Sequence, residues 1–346
     1  MKISRLRFNH SNGLPFPDFL NQWKGCALTI GNFDGLHRGH QIMLQHLKEN
    51  AKKLGLPTVV MTFEPHPRDF FAQSKAQPNL APARIATFRD KLHELAQLGL
   101  DYCVIVPFDE FFSRLSAQEF IQKILLDHLK TQFLMVGDDF KFGADRTGDF
   151  DLLQKNAALH GFQIDQLDSF ELASTRVSSS AVRLALAQGN MEWVEELLGR
   201  PYSVSGHIVH GRKLGRELGF RTINQRFPHW KPACSGIFAV LVHDLHEQPL
   251  IGVANMGVRP SLDPNDVNGG RVLLETHVLD WPEQLDLNFG YGKIVRVELL
   301  HKLHDELRYD SLESLTQGIQ RDCDEARAFF ASRHNLIRRQ TTHDRI

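Results

Sequence analysis

In the first half of this chain, short apolar runs of strand length alternate with amphipathic stretches of helical period. The runs fall at residues 26–31, 58–63, 102–108 and 133–136, with a weaker one at 162–167. The helical patterns fall at 39–54, 84–98, 117–128 and 149–160. Strands separated by helices of this length are joined by right-handed crossovers, and such crossovers make neighbouring strands parallel. A doubly wound parallel α/β sheet is the expected fold, with ligands at the carboxyl ends of its strands.

The pattern changes near residue 187. A short acidic helix at 191–198 leads into Gly199-Arg200-Pro201, and strand-like runs follow at 202–209, 236–242, 250–255, 271–279 and 293–299. No long helix intervenes before 311–331. Strands in series predict a small antiparallel β-barrel closed by a helix. The 346 residues suffice for two cores. The boundary is expected within 186–201, giving domains at 1–186 and 187–335 and a tail at 336–346. The polar, charged end from Arg333 onward is expected to fray.

A net charge of -1 offers no global field for nucleic acid or an anionic membrane, so neither is expected as a partner. Cys26, Cys103, Cys234 and Cys323 show no paired spacing, which predicts reduced, buried thiols. The start is charged and lacks an apolar core, so no secretory leader is expected. No apolar run is long enough to span a bilayer. The expected location is cytoplasmic, and a homo-oligomer is compatible with all of this.

The most informative loop is Gly31-Asn32-Phe33-Asp34-Gly35-Leu36-His37-Arg38-Gly39-His40. It joins the first strand to the first helix, where helix amides and the dipole favour phosphate. Glycine permits close backbone approach, and both imidazoles flank Gly39. The competing reading is a pair of surface histidines. A second element, Arg176-Val177-Ser178-Ser179-Ser180-Ala181-Val182-Arg183, precedes a helical run. It reads either as an ordinary capped helix or as a second phosphate clamp with Arg183 in its first turn.

Together these residues resemble the nucleotidyltransferases marked by HxGH and Ser-Ser-x-x-x-Arg. More narrowly, the first half is similar to the adenylyltransferase module of bacterial bifunctional riboflavin kinase/FAD synthetases. Thr62-Phe63-Glu64-Pro65-His66-Pro67 and Gly137-Asp138-Asp139-Phe140-Lys141-Phe142-Gly143 match that module, with Asp138 at a variable position. Ser180 stands where the family has threonine. The resemblance implies that an FMN phosphate attacks the α-phosphorus of ATP. His37 and His40 would hold the ATP phosphates and Arg183 the pyrophosphate. Phe63, Pro65 and Phe140 would line the flavin pocket, although core packing explains them nearly as well. Gly31, Asn32, Phe33, Asp34, Gly35, Gly39, His66, Asp139, Ser178, Ser179 and Ser180 are expected around the substrates.

In the second half, Gly206, Gly211, Gly215 and Gly219 lie among Arg212, Lys213, Arg216 and Arg221. Glycines among cations can wrap a polyphosphate, although a solvated hairpin has the same composition. The segment ends in Gly219-Phe220-Arg221-Thr222-Ile223-Asn224 and resembles the riboflavin kinase signature, with Arg221 and Ile223 replacing the family's proline and alanine. Asn255-Met256-Gly257-Val258-Arg259-Pro260-Ser261 and Leu274-Glu275-Thr276-His277 match as well. His304 stands where the family has arginine. The resemblance implies that Thr222 and Asn224 coordinate Mg2+ on ATP and that Glu275 is the general base toward riboflavin. Gly206, Gly211, Lys213, Gly215, Gly219 and Arg259 would contact substrate.

The expected chemistry is therefore ATP-dependent conversion of riboflavin to FMN and of FMN to FAD. Losing the proline frees φ before Thr222, yet kinase activity is expected to survive. The alternatives are a monofunctional FMN adenylyltransferase with a weakened or regulatory barrel, a non-enzymatic nucleotide sensor, and a nucleotidyltransferase with another acceptor.

Overall fold

The computed structural model describes residues 1–5, 24–211, 219–228, 231–258, 272–282 and 290–343, with side chains through 333. The chain divides into two compact units. The first comprises Met1–Pro82 and Lys91–Ser178, the second Ala83–Asp90 and Ser179–Ile346.

The first unit holds β1 (Lys2–Arg5), β2 (Cys26–Ile30), β3 (Thr58–Phe63), β4 (Tyr102–Val106), β5 (Thr131–Gly137) and β6 (Gln163–Leu167). These form one sheet in the order β1-β4-β3-β2-β5-β6, with every neighbouring pair parallel. From β2 the chain winds outward through β3 to β4, then returns to β5 on the other side of β2. The strand order thus reverses between β2 and β5, the point where open α/β sheets bind ligands. Every residue of β2 is buried, as a sheet covered on both faces requires. Leu28, Val59, Met61, Leu134 and Val136 share a core with Ile121, Ile124 and Leu125.

Several local features depart from the sequence pattern. The edge strand β1 was not expected, because its four residues are too short and polar to signal a strand alone. The helix Pro67–Ser74 was not expected either; it follows a His66 N-cap with proline at its start. The helical stretch at 117–128 is an α-turn, Ala117–Glu119, continued by a π-helix, Phe120–His128. Its Leu129 amide closes on the Ile124 carbonyl at 3.0 Å. A two-stranded hairpin, β7 (Glu171–Leu172) and β8 (Thr175–Arg176), follows β6.

The second unit is a closed antiparallel barrel. Its strands are β9 (Tyr202–Val209), β10 (Thr222–Arg226), β11 (Gly236–His243), β12 (Leu250–Val258), β13 (Val272–Val278) and β14 (Ile294–His304). They run in the order β10-β13-β12-β11-β14-β9, and pairing of β9 with β10 closes the ring. Strand β10 lies outside the five strand-like runs, in the segment whose composition predicts the end of a glycine-rich loop. Polar residues disguise it: Ile223, Asn224 and Gln225 are buried, whereas Thr222 and Arg226 are exposed. The helix Leu312–His343 packs Cys323 and Ala326 against Ala239 and Val253. It continues through the region expected to fray from Arg333, since no glycine or proline interrupts it there.

Residues 83–90 belong to the second unit although they lie within the first half of the sequence. The Arg84 amide donates to the Lys231 carbonyl at 3.2 Å, and the Ser205 amide donates to Asp90 Oδ2 at 3.2 Å.

All four cysteines are free and buried. Burial pushes the thiols of Cys26, Cys103 and Cys234 up to about 12 and that of Cys323 up to about 11. Thiolate, the reactive form, is therefore scarce at pH 8. Titration with a disulfide reagent at that pH should show no fast-reacting thiol until denaturant is added, when four should react.

Candidate active sites

The loop after β2 is shaped by buried side chains. Phe33 and Leu36 are 1% and 2% exposed, yet both have positive φ, 48° and 42°. Such strain costs about 1–3 kcal/mol per residue, and burial of each side chain offsets it by a similar ~1.5–3 kcal/mol. Asp34 is buried within the same turn.

His37 is the N-cap of the helix Arg38–Leu54, and its Nδ1 accepts from the His40 amide at 3.4 Å. That bond leaves Nε2 to carry the ring proton as a donor. The His37 and His40 rings stack at 3.7 Å, and Phe33 lies 5.0 Å from the other side of His40. Burial, and secondarily the His37 ring, drives the His40 pKa well below the ordinary histidine value. His40 is thus a neutral imidazole at pH 7, and its Nδ1 is buried without a hydrogen-bond partner. The first turn of this helix carries no acidic residue to neutralise its dipole. Gly39 sits in a tight place: a Cβ there would lie 3.2 Å from His37 Nδ1 and 3.4 Å from the Val177 carbonyl. Ser178 therefore directly follows a residue packed on the histidine turn.

Other loops of the first unit end on the same edge of the sheet. Phe63, at the end of β3, meets Phe108 and Phe112 at 5.8 and 5.6 Å. The Glu64–Pro65 peptide is cis. His66 caps the next helix by accepting from the Arg68 amide at 3.1 Å. After β5, Phe140 stacks on Phe142 at 5.6 Å. Phe63 and Phe140 also pack on the core, the alternative role expected for them. Asp139 is largely exposed, 3.5 Å from Arg176. Asp138 accepts from Arg176 at 2.7 Å and from the Ser169 hydroxyl, tying the β7–β8 hairpin to the end of β5. Gly31 and Gly35 remain in the histidine loop as expected, with Gly35 at φ 83°.

Ser179 and Ser180 open the helix Ser179–Gln188 in the second unit. On that helix Arg183 Nε donates to the Ala83 carbonyl at 2.7 Å.

On the barrel, strand register assembles the second group. Asn224 faces Glu275 across β10–β13, and Glu275 faces Asn255 across β13–β12. Residues directly opposite in a ladder project from the same face. Ile223, Gln225, Leu274, Thr276, Ala254 and Met256 alternate with the row and are buried; within the row Asn224 is also buried, whereas Glu275 and Asn255 are half-buried. Asn255 was not singled out individually from the sequence; its Oδ1 is buried without a hydrogen-bond partner. Thr222 pairs with His277 on the same face. A side chain at Gly211 would collide with the Asn224 amide, whereas Gly219, at φ 85°, borders open space. Gly206 lies within β9, and its carbonyl accepts from Gln225 at 3.2 Å. Lys213, Gly215 and Arg259 lie outside the described residues. Among the described residues, no three His, Cys, Asp or Glu side chains cluster as a metal site.

Residues 20–181 match the family model described as FAD synthetase, and residues 198–330 match riboflavin kinase. The bifunctional riboflavin kinase/FMN adenylyltransferase of Escherichia coli K12 is 47% identical, over 89% of this chain and 93% of its own length. The protein of the same name from Haemophilus influenzae is 41% identical over 89% and 96%. The chain belongs to this bifunctional riboflavin kinase/FMN adenylyltransferase family. A structure titled as a macrolide-efflux protein from Streptococcus pneumoniae shares the fold, with TM-score 0.71, 23% identity and coverage of 94% and 99%. Among the described residues, no helix is long and apolar enough to cross a membrane.

Two departures from the family pattern acquire a physical account. Arg221 lacks the ring that would fix its φ, but His277 Nδ1 donates to its carbonyl at 2.7 Å. Burial lowers the His277 pKa, keeping the ring neutral. His304, in place of arginine, contacts Asp322 through Nε2 at 2.8 Å and the Asp305 carbonyl through Nδ1 at 2.6 Å. Partial burial opposes charge on this ring, but the Asp322 and Asp305 hydrogen bonds outweigh it and raise the pKa. The contacts with Asp322 and Asp305 thereby favour the protonated ring.

Lys91, which no motif marks, lies with its Nζ 3.3 Å from the Asn32 carbonyl in the histidine loop. Its signal was a lysine placed with Phe88, Leu92 and Leu95 on the apolar face of its helix.

The raised His304 pKa carries a definite linkage sign. Its stabilisation is complete below the unfolded value of about 6.5 and is lost as pH rises through the folded value. Thermal melts above about pH 6.5 should show a small decline, on the order of 1 °C, that Asp322→Asn lacks.

Proposed function

We propose that this chain makes FAD from riboflavin in two ATP-dependent steps. One observation carries this: a His-x-Gly-His turn at a sheet's switch point and an Asn–Glu–Asn row on a barrel share one chain. That chain aligns over 89% of its length with a bifunctional relative. Residues 1–186 serve adenylylation and 187–335 phosphorylation, with 336–346 beyond both.

In the first step Glu275 takes the proton of the riboflavin 5′-hydroxyl as its oxygen attacks the γ-phosphorus, and ADP leaves. Gly206, Gly211, Lys213, Gly215, Gly219 and Arg259 serve the nucleotide. Thr222 and Asn224 would hold the magnesium of magnesium-ATP, which would supply neutralisation of phosphate charge. Their neutral side-chain oxygens, on the same barrel face as Glu275, fit a hard cation.

In the second step an FMN phosphate oxygen attacks the α-phosphorus of ATP and pyrophosphate leaves. His37 and His40 donate N–H bonds to the phosphates, and a neutral His40 does so without needing a proton from solvent. Arg183 receives the charge of the pyrophosphate, and Ser178, Ser179 and Ser180 supply further donors. Gly31, Asn32, Asp34, Gly35 and Gly39 shape the nucleotide side. Phe63, Pro65, His66, Asp139 and Phe140 shape the acceptor side. The free, buried thiols support a cytoplasmic setting.

Incubation with riboflavin and magnesium-ATP, followed by separation of the flavins, should yield FMN and then FAD. Recovery of neither product, or of only one from its proper precursor, would reject the two-step reading. Glu275→Ala should cut FMN formation by about 10²–10⁴-fold while supplied FMN is still adenylylated. His40→Ala should do the converse, losing about 10²–10³-fold in FAD formation with FMN formation retained. Because His40 is already neutral, FAD formation should show no protonation step from this residue between pH 6.5 and 8.

A further inference from the structure

Lys91 lies on the helix Phe88–Gln97 with its side chain 1% exposed. An ammonium is costly to bury unless oxygen atoms surround it. Its Nζ lies 3.3 Å from the Asn32 carbonyl, 3.3 Å from Thr62 Oγ1 and 3.4 Å from the Phe63 carbonyl. Glu64 Oε2 is 3.9 Å away. The Thr62 hydroxyl also donates to the Asn32 carbonyl at 3.3 Å.

These oxygens come from the carboxyl ends of two adjacent strands. Asn32 begins the loop from β2 to His37 and His40, and Phe63 and Glu64 begin the loop from β3 to Pro65 and His66. The two carbonyl dipoles converge on one cation, which cancels their mutual repulsion and fixes their separation. Beside it, Asn32 Oδ1 is buried without a hydrogen-bond partner.

We propose that Lys91 is a positioning residue for adenylyl transfer, its ammonium setting the spacing between the nucleotide loop after β2 and the acceptor loop after β3. This rests on the roles given above to those loops. An attacking oxygen displaced by an ångström can cost about 10²-fold in rate, so the loss should fall on turnover more than on binding.

The test uses the full-length Lys91→Met and Lys91→Arg variants, with FMN formation from riboflavin measured as an internal control in each. Lys91→Met should lower kcat for FAD formation by about 10–100-fold, with KM for FMN and ATP changed less than about threefold. FMN formation should stay at the wild-type rate. Lys91→Arg keeps the charge, but its planar fork cannot replace a point cation among these four oxygens. It should fold and still lose about 3–10-fold in kcat. If Lys91→Met fails to fold, the arginine variant decides. Wild-type kcat for FAD in either folded variant, or a defect confined to KM, overturns the proposal. A wild-type protein that forms no FAD from FMN would instead refute the underlying assignment of the loops, and this inference with it.

Discussion

A parallel sheet with both faces covered has only its strand ends available for chemistry, and the first unit depends on that constraint. Strand β2 is buried along its whole length. Its continuation must therefore turn abruptly at Gly31, and the order reversal between β2 and β5 leaves a crevice at that turn. Phe33 and Leu36 anchor the turn by entering the core despite left-handed backbone, which holds His37 and His40 stacked at the helix start. Lys91 lies where the carbonyls of two strand ends converge. The histidine loop thus combines apolar burial of Phe33 and Leu36 with an enclosed lysine at its start.

The barrel uses a different constraint to similar effect. Alternation along a strand sends successive side chains to opposite faces, so the core positions Ile223, Leu274 and Met256 fix the placement of Asn224, Glu275 and Asn255. A one-residue slip would bury the carboxylate and expose the core. Closure through β9 and β10 removes the free edges that would permit such a slip. The two departures from the family motif are accommodated locally. His277 ties the carbonyl of Arg221, and the His304–Asp322 bond joins the end of β14 to the closing helix.

Much of this was legible in the residues. The periods of the apolar runs distinguished a parallel from an antiparallel half, and the glycine and histidine spacing singled out the loop that lies where the strand order reverses. The π-helical turn after Glu119 was hidden because its apolar positions satisfy an α-helical pattern nearly as well. Strand β10 was hidden because its outward face is polar and its inward face includes Gln225, whose amide bonds to the carbonyls of Gly206 and Val295. The assignment of residues 83–90 to the second unit was equally invisible, because their hydrogen bonds to the Lys231 carbonyl and the Ser205 amide join residues remote in sequence.

By itself, the sequence determined the two architectures, the order of the motifs and the family resemblance, since these follow from local periodicity and residue type. Only the tertiary structure decided that His40 is neutral, that His304 is biased toward its protonated form and that Asn255 flanks Glu275. It also decided that Lys91 is enclosed by the ends of β2 and β3. Charge state and contact depend on burial and on partners distant along the chain, and neither is a property of a residue's neighbours in sequence.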